Sequence, residues 1–370
     1  MFFYWIIFTI PALVALSTTK VHRQVSTLGW FFLGIFFVLI IGLRFEVGVD
    51  WPNLIHNFKY AHVGIKTTEL SLSDSFHNGA LGYGIMSWII ANLGGEIYAV
   101  HLIIAITFMS GLIAFCRRQP NPWLALVVAI PILVIIIGMN YNRQAIAIGF
   151  IFFALISLMD GKIWRFAVFV LLGGLFHATA VIFICLGVVL GKIDFHRYKS
   201  DAITRILKRI WTLTWIVAVG FTLYYFILKD NLEVLLIYYF GIKMTSSGAL
   251  LRVLMNVVPA VIFLLFHKRL QLTIIEKRIS FWMALASIGC LFAFPFSPSS
   301  SAIDRVAMYL IPIQLVVYSR LPLLFTPGFS MQTVKVFIIL GYALTQFVFL
   351  NYGSFAFGWL PYKFYPLEVL

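Results

Sequence analysis

Long apolar runs, separated by short polar or charged stretches, fill this chain from end to end. Within each run the hydrophobic positions are consecutive, as in Phe31 to Ile41, and no face is left polar. The two-residue alternation of a half-buried strand is missing, and so is the single stripe of a surface helix. Such runs read as helices in lipid. About 20 apolar residues make a crossing, and fewer suffice for short helices inside a bundle. The pattern predicts crossings at about 2–17, 28–43, 97–116, 123–138, 143–159, 163–176, 178–191, 210–228, 252–266, 279–295, 306–318 and 335–351. Segment 82–93 is apolar but short and is expected to be a half-penetrating or interfacial helix on the outer face. The expected fold class is all-α: a polytopic transmembrane helical bundle of about 12 crossings plus that segment.

Composition agrees. Hydrophobic residues make up 62% of the 370 and charged residues 11%, against about 25% charged in a soluble domain. Residues 1–370 are therefore expected to form a single integral membrane domain, with outer loops at 44–81, 229–251 and 296–305 and an outer C-terminal tail. A barrel would need alternating strands, which these runs do not supply.

The net charge of +14 would suggest nucleic acid in a soluble protein. Here 18 of the 27 basic residues fall in the expected cytoplasmic loops, among them Lys20, Arg23, Arg117, Arg118, Lys162, Arg165, Arg320 and Lys335. Only Asp160, Asp194, Asp201 and Glu276 accompany them. That bias is the positive-inside rule, so the charge reports orientation and no nucleic-acid partner is expected. Both termini are then expected outside. Met1 to Leu16 lacks a basic leading region and reads as an uncleaved helix. Cys116, Cys185 and Cys290 are isolated in apolar segments and read as small core residues.

Candidate chemistry lies at the outer helix ends. Arg44, Arg143, Arg252 and Arg305 each mark such an end, where the charge bias does not favour them. A lone outer arginine can be explained by its reach to lipid headgroups. Four at one depth point to a shared pocket. A guanidinium is a planar fork of donors that grips phosphate oxygens in pairs, so the set suits a lipid diphosphate. Asp50, Asp304 and His177 are the candidate bases. His177 falls at the turn of the apolar stretch Ile163–Leu190, and histidine titrates near neutral pH. Three plainer roles stand beside these: a helix-capping histidine bound to a backbone carbonyl, Asp50 paired with Arg44, and Asp304 paired with Arg305. Tyr83, between Gly82 and Gly84, opens the short segment. No DxD, P-loop, HExxH or GxSxG motif occurs, so no metal or cofactor is called for.

Arg44 with Gly48-Val49-Asp50-Trp51, Gly82-Tyr83-Gly84, Asn142-Arg143-Gln144 with Ala147, Phe176-His177-Ala178, Asp304-Arg305 with Tyr309, and Trp359-Leu-Pro-Tyr362 occur in that order along the chain. Together they resemble the EpsG family, Wzy-like polymerases of bacterial exopolysaccharide, capsule and O-antigen. One departure is Tyr60, which follows Asp50-Trp51 later than that pattern suggests. The resemblance implies a GT-C-like, lipid-donor glycosyltransferase in the bacterial inner membrane that works without a metal on the face turned to the periplasm. It implies transfer of a glycan from undecaprenyl diphosphate onto another lipid-linked repeat unit, with a chain-length regulator protein as a further candidate partner. In that frame His177, Asp50 and Arg143 are expected to be catalytic, and Arg44, Arg252, Arg305, Gln144, Asp304 and Tyr83 to bind substrate. A flippase of the same lipid-linked sugars and an O-antigen ligase are the alternatives. An O-acyltransferase fits less well, because its histidine should be reached from the cytoplasm.

Overall fold

The computed structural model describes residues 1–17, 23–66, 81–191, 245–326 and 328–368. The expected crossing at 210–228, most of the loop 229–251 and residues 67–80 of the first outer loop lie outside the described residues. Helix dominates. Among the described residues the extended pairing is a single bridge between Arg44 and Phe364.

The first half comprises α1 (Phe2–Leu16), α2 (Arg23–Gly42), α3 (Trp51–Lys66), α4 (Leu81–Asn92), α5 (Ile97–Cys116) and α6 (Pro122–Ala129). Helix α6 widens into a π-type segment, Ile130–Gly138, that has Pro131 near its start. A proline has no N–H to give to the helical ladder, and the ladder must shift there. Then come α7 (Asn142–Met159), α8 (Ile163–Phe176), a 3₁₀ turn (Ala178–Phe183) and α9 (Ile184–Gly191). The last third holds α10 (Ala249–Phe266), α11 (Ile274–Ala293), α12 (Ser300–Leu310), α13 (Pro312–Arg320), α14 (Phe329–Tyr352) and the short α15 (Tyr365–Glu368).

Five helical spans are long and apolar enough to cross a membrane: Ile97–Arg117, Asn142–Met159, Ala249–Phe266, Ile274–Phe296 and Ser330–Tyr352. Helices α12 and α13, bent by 45° ahead of Pro312, form a sixth if counted as one span. Helices α1, α2, α6 and α8 and the segment Ala178–Gly187 are apolar but shorter. The protein is thus an all-helical, multi-pass membrane protein. Large apolar side chains face outward, with Phe31, Phe32 and Phe337 more than half exposed, as a lipid solvent permits.

Two expected loops carry helix, and 296–305 holds the start of α12. The stretch 44–81 is not all loop, because α3 occupies its first part. The C-terminal tail packs into the bundle: Trp359 is buried, and its Nε1 donates to the Ile135 carbonyl of the π-type segment at 2.9 Å.

The centre of the bundle is α5, α6 and α7. Every residue from Leu124 to Asn140 is buried. Helices α5 and α7 meet backbone to backbone: a Cβ on Gly111 would collide with the Gly149 carbonyl, and one on Gly149 would lie 2.7 Å from the Phe108 Cα. Small residues permit that approach. At the opposite ends, charges are tied off. Arg320 Nη2 donates to Glu276 Oε1 at 2.9 Å, and its Nη1 donates to Gln119 Oε1. Arg118 holds both oxygens of Asp160 at 2.5 and 3.0 Å.

Candidate active site

The loop between α2 and α3 carries Arg44 and Asp50, and the C-terminal tail fixes its course. Phe45 N–H donates to Lys363 O (3.0 Å), Gly48 N–H to Gly358 O (2.7 Å), and Tyr365 N–H to Leu43 O (2.8 Å). Gly48 sits at φ 101°, a conformation that disfavours any side chain. Tyr4 Oη secures the tail in turn by donating to Trp359 O at 2.7 Å. Lys363 pairs with Glu46 at 2.7 Å.

Arg44 is fully buried inside this arrangement. Its Nε donates to Val47 O (3.2 Å), its Nη2 to Asn142 Oδ1 (2.7 Å) and its Nη1 to Ile41 O. Trp51 lies beneath it, 5.9 Å away at the ring centre. The guanidinium stitches the loop to the start of α7. The pairing of Asp50 with Arg44 that the sequence allowed is not formed. Asp50 is bound instead to Asn140: its N–H donates to Asn140 Oδ1 (2.9 Å), and Asn140 Nδ2 donates to Asp50 Oδ2 (3.4 Å).

Asp50 faces two other arginines. Burial pushes its carboxyl above the ordinary carboxylate range, and the charges of Arg305 and Arg143 pull against that rise. Arg143 opens α7 and spreads over the Tyr83 ring at 6.0 Å. Gln144 is its neighbour, and Gln144 Nε2 donates to the backbone carbonyl of Arg305 at 2.9 Å, which ties α7 to α12. Arg143, Arg305 and Asp50 are all half-buried, as is His177.

His177 ends α8 at φ −152°, and its N–H closes on Gly173 O at 2.9 Å. Its ring does not bind a backbone carbonyl. Nδ1 lies 2.5 Å from Thr179 Oγ1 and 3.0 Å from Tyr309 Oη. Among the described residues Nε2 makes no hydrogen bond, so the ring is held by one nitrogen. Loss of water, with Arg305 and Arg143 nearby, holds the imidazole well below its ordinary range, and it is neutral at neutral pH.

Asp304 does not pair with its neighbour Arg305. It is buried and binds Arg252 of α10 through both oxygens, Nε to Oδ1 at 2.7 Å and Nη2 to Oδ2 at 2.6 Å. Ser246 Oγ also donates to Oδ2 at 2.8 Å. The four helix-end arginines therefore divide. Arg44 and Arg252 are bound into the scaffold, and Arg143 and Arg305 share a space with Asp50 and His177. Sequence reasoning assigned no role of their own to Asn140, Asn142, Thr179 and Trp359, which position these groups. Asn140 and Asn142 were within sight, preceding Arg143 by three residues and one. Tyr83 is buried, and its hydroxyl has no hydrogen-bond partner among the described residues.

Four stretches of chain thus supply one small cluster: 44–50, 140–144, 177 and 304–309. The EpsG family matches residues 27–364, a span that contains all four stretches. The chain belongs to the EpsG family. Membership makes it a multi-pass membrane protein of the polysaccharide-polymerase type, associated with glycosyltransferase-like chemistry. No curated protein and no solved structure matches the chain significantly. Within this EpsG protein, no three His, Cys, Asp or Glu side chains among the described residues gather as metal ligands.

Proposed function

We propose that this EpsG-family protein is a polysaccharide polymerase. It transfers a glycan from an undecaprenyl-diphosphate donor to a lipid-linked oligosaccharide repeat unit, as a lipid-donor, metal-independent glycosyltransferase of GT-C-like architecture. In this reading some 12 crossings leave the cluster on the outer face of the bacterial inner membrane. The observation that supports it is the meeting of Arg143, Arg305, Asp50 and His177, drawn from distant stretches, at one half-buried place.

The acceptor hydroxyl oxygen attacks the anomeric carbon, and the bond from that carbon to the diphosphate oxygen breaks. Negative charge grows on the departing diphosphate, and Arg143 and Arg305 stabilise it. The hydroxyl proton passes to Asp50 or to His177. For His177 the accepting atom is Nε2. Its Nδ1 then carries hydrogen and donates it to Thr179 Oγ1 or Tyr309 Oη, which fixes the ring. Arg44, Arg252, Asp304 and Gln144 hold these groups in place, and Tyr83 backs Arg143 against the substrate.

A flippase would need ionisable groups along a path through the bundle. One set of buried polar groups here forms an uncharged chain that ends on a backbone carbonyl: Tyr342 Oη to Gln314 Oε1 (2.6 Å), Gln314 Nε2 to Asn256 Oδ1 (2.6 Å) and Asn256 Nδ2 to Ala307 O (2.7 Å). The decisive experiment supplies the purified protein with single lipid-linked repeats and follows product length. Lengthening supports the polymerase. Unextended repeats, with transfer to lipid A core instead, would identify a ligase. Movement across proteoliposomes without extension would identify a flippase.

A further inference from the structure

Helices α7 and α8 form a hairpin whose turn, Asp160 to Lys162, lies at the end opposite His177. The 18 residues of α7 separate that turn from Arg143 by about 27 Å at 1.5 Å per residue, roughly the thickness of a bilayer's hydrocarbon core. Between the two helices, just above the turn, is a cavity of about 550 Å³. Phe153 and Ile156 wall it from α7, and Val168 and Phe169 from α8. Phe153 and Phe169 stack at 5.4 Å and close its deep end. Trp164 stands at the mouth, 70% exposed.

The mouth is cationic. Lys162 and Arg165 line it together with Asp160. Asp160 is already held by Arg118 through both oxygens. Three cations against one carboxylate leave an excess of two positive charges above an apolar slot.

We propose that this groove binds an anionic phospholipid, with one acyl chain against Phe153, Ile156, Val168 and Phe169 and the phosphate between Lys162 and Arg165. The slot excludes a purely ionic ligand as its best occupant, since its walls are hydrocarbon. The mouth disfavours a zwitterionic lipid, whose own cation would meet Lys162 and Arg165. The exposed Trp164 indole suits the headgroup level. The assignment is independent of the glycosyl-transfer chemistry.

The test uses the full chain in nanodiscs, with phosphatidylglycerol or phosphatidylcholine as probe and native mass spectrometry as readout of retained lipid. Phosphatidylglycerol should be retained preferentially. Each of Lys162→Gln and Arg165→Gln should weaken it by about fivefold and the double variant by about 25-fold. Val168→Trp, which fills the slot and leaves the charges alone, should expel the lipid as well. Equal retention of the two lipids would overturn the proposal, as would undiminished phosphatidylglycerol in the double-glutamine variant or in Val168→Trp. Thermal stabilisation by inorganic phosphate equal to that by phosphatidylglycerol would also overturn it, by showing an ion site without a lipid.

Discussion

Arg252 grips both carboxylate oxygens of Asp304, at 2.7 and 2.6 Å, from a helix 52 residues away in sequence. The arginine keeps 13% of its side-chain exposure and the aspartate 3%. Ser246 completes the arrangement from the loop before α10, donating to Asp304 and accepting from Arg252 Nη2 at 2.8 Å. The pair thereby fixes α10 against α12, the helix that carries Arg305.

Breaking it should cost stability before it costs chemistry. Asp304→Ala leaves a largely buried guanidinium uncompensated, a loss of about 3 kcal/mol by comparison with other buried pairs. A lowered melting temperature in detergent is the expected result, with the double variant Asp304→Ala/Arg252→Met recovering much of it. Equal stability in Asp304→Ala and the wild type would show that the pair carries little.

Arg143 should behave in the opposite way. It is half-buried, and its proposed work is on the leaving diphosphate. Arg143→Ala is expected to melt within a few degrees of wild type yet lose on the order of 10²-fold or more in extension rate. Arg143→Lys should restore only part of that rate, because a point charge cannot grip two oxygens at once. Full polymer length with both variants would exclude Arg143 from the chemistry.

Asp50 should trade stability for activity. Its carboxyl is raised by burial, so the fold favours the protonated form. Stability tied to that proton is present in acid and is lost as the pH rises through the raised value. Asp50→Asn removes the penalty at neutral pH and should melt at or above the wild-type temperature while extension falls. A clear drop in melting temperature at pH 7 would contradict this sign.

The pH profile gives a further check. With His177 held neutral, no limb belonging to its imidazole should centre near the ordinary histidine value of roughly 6.5. The acid limb should belong to the raised Asp50 carboxyl or to a depressed imidazole. In Asp50→Asn the residual limb belongs to His177 if the imidazole takes the proton, and His177→Ala should then abolish it. A limb centred at about 6.5 that persists in Asp50→Asn would count against a depressed His177.

Trp359 offers a graded pair of substitutions. Trp359→Phe keeps a ring against Phe349 but gives up the hydrogen bond to Ile135 O, a loss of about 1 kcal/mol. Trp359→Ala also empties the core site and should cost about 3–5 kcal/mol. Melting curves and limited proteolysis of the 43–50 loop would record both effects.

Much of this architecture was legible in the hydrophobic pattern. The runs at 97–116 and 163–176 coincide with α5 and α8 because lipid-facing and core-facing sides are equally apolar there. Helix α3 escaped because Pro52, Asn53, His56 and Lys59 break its apolar run; it is amphipathic and lies beside the spans. The meeting of Arg143, Arg305, Asp50 and His177 followed from topology, since helix ends on one face are brought near one another. Partner choice did not follow. Adjacent residues on a helix point in different directions, which is why Asp304 could not serve Arg305. That rule was available from the sequence once α12 was recognised as a helix. The burial of Arg44 was not, because position along a chain tells depth in the membrane and not which side of a helix meets its neighbours.

The strap across the 43–50 loop has a consequence for biosynthesis. Gly48 is pinned by Gly358 and Phe45 by Lys363, so the turn bearing Asp50 can take its final shape only after residues 358–363 have been made. Nascent helices can insert one after another while this corner waits. A chain released before that strap is made would lack the seam that shapes the proposed reaction centre.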